Sequence, residues 1–157
     1  MTEQFFQFQT QFLGANTWEQ RKDGIPLYLL DQLSPEDLLL AEDALINAAQ
    51  TKDTWPIIAL GYIHSQKASS KLYALIPQAQ GITKITLAHA LFLIKKDPLM
   101  AEIVVAEIEK INNWSQLIEV ITMLPDFKDA RLLAILESLK KHPDFLVSYH
   151  AKRASAI

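Results

Sequence analysis

The chain has no cysteine and only four glycines among its 157 residues. Without cysteine there is no disulfide framework and no thiolate chemistry, and a reducing compartment is permitted. Four glycines leave little for an oxyanion loop. Gly-x-Ser-x-Gly, Gly-x-x-x-x-Gly-Lys and Gly-x-Gly-x-x-Gly are all missing, which removes the usual marks of a hydrolase elbow, a P-loop and a dinucleotide fold. There are four histidines, His64, His89, His142 and His150, and no two stand at the i, i+4 spacing that places two imidazoles on one zinc. No stretch reaches the roughly 18 apolar residues of a membrane span. Glu3 and interleaved glutamines stand where a secretory signal would need a basic start and an apolar run. The expectation is a cytoplasmic protein with no cofactor, no metal and no membrane partner.

What is present is ordinary for a folded domain: half the residues are apolar and 21% are charged. The net charge of -3 is unevenly spread. Residues 1–50 hold eight acids and two bases, residues 51–100 two acids and six bases, and the remainder eight acids and seven bases. Such asymmetry steers a partner of opposite sign, although solvated faces also vary for no functional reason. The acidic balance argues against nucleic acid, which asks for a basic stripe.

The segment from Trp55 to Leu139 organises the chain, because a helical hairpin recurs in it about every thirty residues. Ile58–Ile63 superimposes on His89–Ile94 after 31 residues and on Glu119–Leu124 after 30 more. Second apolar registers follow each turn: Ala68, Leu72 and Leu75, then Leu99, Ile103 and Ala106, then Asp129, Leu133 and Leu136. A period in this range marks a solenoid, in which no repeat buries its apolar face alone.

Helix boundaries follow from local chemistry. Thr2 opens a helix to about Leu13, with Gly14 as its stop and Phe5, Phe8 and Phe12 on one side, broadened by Phe6 and Leu13. Those aromatics read as a lid over the open end of the array, or else as an exposed docking helix. Thr17 to Gln20 is a capping box, and Pro26 opens a short helix over 27–33. Ser34-Pro35-Glu36-Asp37 is a strong start for a helix to about Gln50 that buries Leu38, Leu39, Ala41, Ala44, Leu45 and Ala48. Asp53 or Thr54 caps the next, and Gly61 in its middle implies close approach of a neighbouring helix. Further helices are expected over 67–76, 82–95 and 98–111, then from a capping box at Asn113 to Met123, from an Asp126 cap over 127–141, and over 144–154.

An Ala-Leu-x-x-Ile first helix, a short turn and an Ala-x-x-x-Leu-x-x-Leu second helix together resemble the short variety of HEAT-type repeats. Asp97-Pro98 and Pro125-Asp126 at the turns are similar to that family's punctuation, although Ser65-Gln66-Lys67 lacks both residues. The resemblance covers roughly 53–141 and implies an all-α, right-handed α-α superhelix acting as a scaffold for other macromolecules. The expected organisation is a single domain over 1–157: capping helices over 1–52, about three hairpins over 53–141, and a last helix and tail over 142–157.

The function expected is non-catalytic binding of a protein partner, with no small-molecule substrate evident. Candidate contact residues are Tyr62, His89 and Glu119, one partly exposed position on the first helix of each repeat, and Glu42 and Asp43 as an acidic docking edge. An acidic, cysteine-free solenoid also fits an immunity protein that presents carboxylates to the basic cleft of a toxic enzyme. Because some HEAT-like proteins are DNA glycosylases, Trp18, Trp55 and Trp114 with Asp53 and Arg131 form a third candidate set. The acidic balance and the shortage of arginine weigh against it.

Overall fold

Most of the longer helices begin on a side chain suited to the task. In the computed structural model, which describes residues 1–156, Thr2 Oγ1 accepts from the Phe5 N–H at 3.1 Å and opens α1 (Glu3–Phe8). The chain continues as a π turn over Gln9–Leu13, closed by the Gly14 N–H donating to the Gln9 carbonyl at 2.8 Å. Thr17 and Gln20 form the reciprocal box that starts α2 (Trp18–Arg21). A short α3 (Tyr28–Asp31) leads to Ser34, whose hydroxyl accepts from the Asp37 N–H at 3.1 Å and opens α4 (Pro35–Ala48). Asp53 caps α5 (Thr54–Tyr62), Asn113 caps α9 (Trp114–Met123) and Asp144 caps α11 (Phe145–Ser155). Each such cap contributes about 1 kcal/mol by satisfying an N–H that the helix itself leaves free.

Two boundaries differ from expectation. Residues 67–76 are broken into a 3-10 turn (Gln66–Ala68), α6 (Ser69–Leu75) and a second 3-10 turn (Ile76–Gln78) carrying Pro77. Asp126 does not cap a helix. It lies in a 3-10 turn over Leu124–Phe127, after which Lys128 takes a left-handed conformation with φ of 49°. That reversal interrupts the backbone ladder, so the helix must restart; Asp129 caps α10 (Ala130–Leu139) by accepting from the Arg131 N–H at 2.9 Å.

Packing runs in a chain from one end to the other. α1 lies on α3 and α4, α4 on α5, α5 on α7 (Gly81–Lys95), α7 on α9 and α9 on α11. The second helices flank this row: α6 and α8 (Leu99–Ile108) pack on α7, and α10 on α8 and α11. No β-strand occurs among the described residues. The repeat is visible in what is buried. Ala59, Ala90, Val120 and Ala151 are buried at steps of 31, 30 and 31 residues. On the second helices, Ala68, Met100 and Leu132 are buried at steps of 32, as are Leu72, Val104 and Leu136.

That second series corrects the register read from the sequence. Leu99 and Leu133 are 59% and 46% exposed, and Ala106 is exposed as well. The turn between first and second helix lengthens along the chain, so an alignment anchored on the first helices places the second helix one residue out of phase in the second hairpin and three in the third.

Gly61 is where α5 and α7 cross most closely. A Cβ there would stand 2.9 Å from the Ala90 Cα and 3.0 Å from its Cβ, so only glycine permits this separation. At the N-terminal end Phe5, Phe8 and Phe12 are buried, with ring centroids 6.1 and 5.3 Å apart in succession, and Phe12 meets Trp55 at 5.5 Å. Phe6 is 55% exposed and does not widen the stripe. Leu39, expected inside, is 60% exposed. The inward side of α4 is the i, i+4, i+8 line of Asp37, Ala41 and Leu45, which turns Leu39 and Leu40 outward. Asp37 tolerates burial because the Thr2 hydroxyl donates to its carboxylate, tying α1 to α4.

Candidate functional site

α8 reads Leu-Met-Ala-Glu-Ile-Val-Val-Ala-Glu-Ile, apolar at eight of ten positions. A helix apolar on all sides normally has neighbours on all sides. This one buries Met100, Ala101, Val104 and Ile108 and leaves Leu99, Ile103 and Ala106 on its other side. With Tyr73, Ile76 and Pro77 from the end of α6 and the turn beyond it, that second stripe lines an open groove of about 570 Å³.

Charged groups ring the groove, and most are already satisfied. Glu107 is 4% exposed; it accepts from the Lys110 Nζ at 2.9 Å and from the Gly81 N–H at 2.9 Å, and Lys84 Nζ stands 3.8 Å away. It therefore supplies the cap that α7 lacks, since Gln80 offers no side-chain bond there. The Lys110 hydrogen bond chiefly, then the Gly81 N–H and the charges of Lys110 and Lys84, hold its carboxyl below the usual range against the opposing effect of burial. Across the groove the Tyr73 hydroxyl donates to Asp97 at 2.8 Å; burial and this bond push the phenol upward. Glu102 is exposed on the rim. Glu107, Lys110, Tyr73 and Asp97 are thus fixed by partners within the chain, and the apolar surface between them has none.

The residues singled out from the sequence do not converge on this groove or on one another. Asp43 accepts from the Lys67 Nζ at 2.7 Å, so half of the expected acidic edge is neutralised. Glu42 borders a separate shallow groove of about 310 Å³ with Pro35, Leu38, Leu39 and Ile63. Tyr62 donates to Asp31 at 2.8 Å, a bond that raises the phenol's pKa. His89 Nε2 lies 2.7 Å from Asp126 Oδ2, with its ring 5.7 Å from that of Phe127. The hydrogen bond to His89 holds the Asp126 carboxyl low. Desolvation raises the Glu119 carboxyl, which makes no hydrogen bond or ion pair among the described residues.

The tryptophan set is dispersed too. Asp53 accepts from Arg21 Nη1 and Nη2 at 2.9 Å each, and the same guanidinium lies 4.2 Å from the Trp55 ring. Arg131 is paired with Asp129 at 2.9 Å. Trp55 is partly buried against the core, whereas Trp18 and Trp114 are 74% and 48% exposed. Among the described residues no group of three or more His, Asp or Glu is arranged to hold a metal ion, and no helix is long and apolar enough to cross a membrane.

Sequence reasoning took Leu99, Ile103 and Ala106 as core. Their apolar character was legible; the competing stripe one residue along was the signal that α8 has two faces to cover. Compared with protein families, with curated proteins and with solved structures, the chain matches none.

Proposed function

We propose that this chain is a non-catalytic interaction module, a HEAT-like α-α superhelix that binds a protein partner in the groove between α6 and α8 without a cofactor. The observation that carries the reading is the second apolar stripe of α8, Leu99, Ile103 and Ala106, lying open beside Tyr73 and Ile76. Leucine-sized side chains that fill such a groove contribute about 1.5–3 kcal/mol each. The rim acids Glu102 and Asp97 favour a partner that carries basic residues next to its apolar anchors. The recurring burial of the two helix rows supports the superhelical reading.

The test places a photo-crosslinking amino acid at Ile103 and, in a control, at exposed Lys52, in cells of the native host. One discrete adduct at Ile103, absent from the control and lost with Leu99→Glu, supports the groove. Identical adduct patterns at both positions, or an adduct indifferent to Leu99→Glu, refute it.

A second reading rests on a different surface. Leu39 and Leu40 are 60% and 55% exposed on α4 and stand beside Glu36 and Glu42. An apolar pair flanked by carboxylates suits the basic cleft of a toxic enzyme, as an immunity protein would require. Its binding would weaken steeply with salt and be lost in Glu36→Lys/Glu42→Lys, whereas groove binding would survive those two substitutions.

A further inference from the structure

The two ends of the helix row are finished differently. At the start, α1 folds over the array with Phe5, Phe8 and Phe12 buried beneath it. At the other end α11 packs on α9 and α10, and among the described residues no further helix lies on its outer side. Tyr149 continues the series Ile57, Ala88, Ile118 at steps of 31, 30 and 31 residues. Ile57 and Ala88 are fully buried and Ile118 is half-buried, on helices that each have a following helix of the row packed on them; Tyr149 is 43% exposed. Phe145, 76% exposed, stacks on it with centroids 6.1 Å apart, and the Arg153 guanidinium lies 5.7 Å from the Tyr149 ring. Leu146 is 42% exposed beside them.

Charge says what fits there. Lys140 is paired with Glu137 at 2.8 Å, which leaves Lys141, Lys152 and Arg153 against one acid, Asp144, which is engaged in capping α11. Two such ends facing each other would set bases against bases, which disfavours a symmetric tail-to-tail pair. The opposite end of the same molecule has the complementary character. The outer surface of α1 and the start of α4 expose Glu3, Phe6 and Glu36, and neither acid is paired with a base among the described residues. Glu3 and Phe6 are three residues apart and share one side of α1.

We infer that the α11 end of one molecule docks on the α1 end of a second copy, head to tail, with Phe145 and Tyr149 as apolar anchors and opposite charges setting the direction. The contact is heterologous, so it builds open chains or rings of three or more subunits and does not stop at two. It is separate from the α6–α8 groove, and Ile103→Asp leaves it intact.

Sedimentation velocity over low-micromolar to submillimolar protein, at low and moderate salt, tests it. The weight-average sedimentation coefficient should rise with concentration past the dimer value and fall as salt is added. Phe145→Asp/Tyr149→Asp disables the tail, and Phe6→Asp/Glu36→Lys disables the head; circular dichroism of each confirms the fold. Each variant alone should remain a monomer, while their mixture should form a 1:1 pair that grows no further, because it joins the one intact head to the one intact tail. A chain that is monomeric throughout, or a plateau at a dimer in the unmutated protein, overturns the inference. So does retention of a labelled oligo-dT by a monomer that loses it with Phe145→Asp/Tyr149→Asp, since the basic aromatic stripe would then serve single-stranded nucleic acid.

Discussion

Replacing Gly61 by alanine sets two effects of similar size against each other. Alanine in a helix interior is favoured over glycine by about 1 kcal/mol, chiefly through backbone entropy. The added methyl would meet the Ala90 Cα at 2.9 Å and its Cβ at 3.0 Å. The obstacle is backbone and a short side chain, with no flexible tip to swing away, so α5 and α7 must separate. Overpacking of this kind costs about 1–3 kcal/mol. The net expectation is destabilisation of about 1 kcal/mol, within a range of about 0–2, and a Tm lower by roughly 2–4 °C for a chain of this size. Urea unfolding followed by circular dichroism measures it. Ala134→Gly, at an exposed position inside α10, calibrates the propensity and should cost about 1 kcal/mol. A Gly61→Ala protein more stable than the parent by the full propensity would refute the reasoning, because the helices would then have room for the methyl.

Glu107→Gln should lose about 1.5–3 kcal/mol at neutral pH, the value of hydrogen bonds to a charged group. The carboxyl is depressed in the folded state, so its contribution is complete above the unfolded pKa of about 4.3 and disappears as pH falls through the folded value. The parent and variant stability curves should therefore converge in acid; parallel curves would count against it. Asp53→Ala should cost about 1–2 kcal/mol by removing the cap of α5. Asp53→Asn keeps that acceptor and should cost less, while flattening the acid limb created by the low-lying carboxyl at Arg21, as urea titrations at several pH values would read. Phe8→Ala empties a fully buried site beneath the N-terminal lid and should cost about 3–5 kcal/mol in chemical denaturation, with earlier proteolysis within residues 1–16.

Local chemistry was readable in advance, and long-range geometry was readable only in part. Thr2, Thr17, Ser34 and Asn113 cap where spacing places them, and Asp53 caps rather than Thr54, because a cap depends on residues two or three positions away; Asp144, expected inside the last helix, caps it instead. The close approach at Gly61 was legible because a helix-interior glycine costs stability unless packing requires it. The face of α8 was not. With eight apolar residues in ten, two stripes satisfy the same periodicity, and only the length of the preceding turn decides which one meets α7. Asp126 was misplaced for a related reason. It stands before a helical pattern, as a cap would, but its carboxylate is drawn to His89, 37 residues away, and Asp129 takes the terminus.

The lengthening turn also bears on how freely such an array can be copied. Nine residues separate Ala59 from Ala68, ten separate Ala90 from Met100, and twelve separate Val120 from Leu132. The added residues of the third hairpin are not slack: they hold Asp126 and Phe127, which reach back to His89 and to Phe92, 5.0 Å from the Phe127 ring. A duplicate of the second hairpin inserted after the third would bring no such clasp, and a deletion of the third would strip His89 of its counterpart. The hairpins share a burial pattern but differ at their turns, so changing their number would require rebuilding the junctions between them.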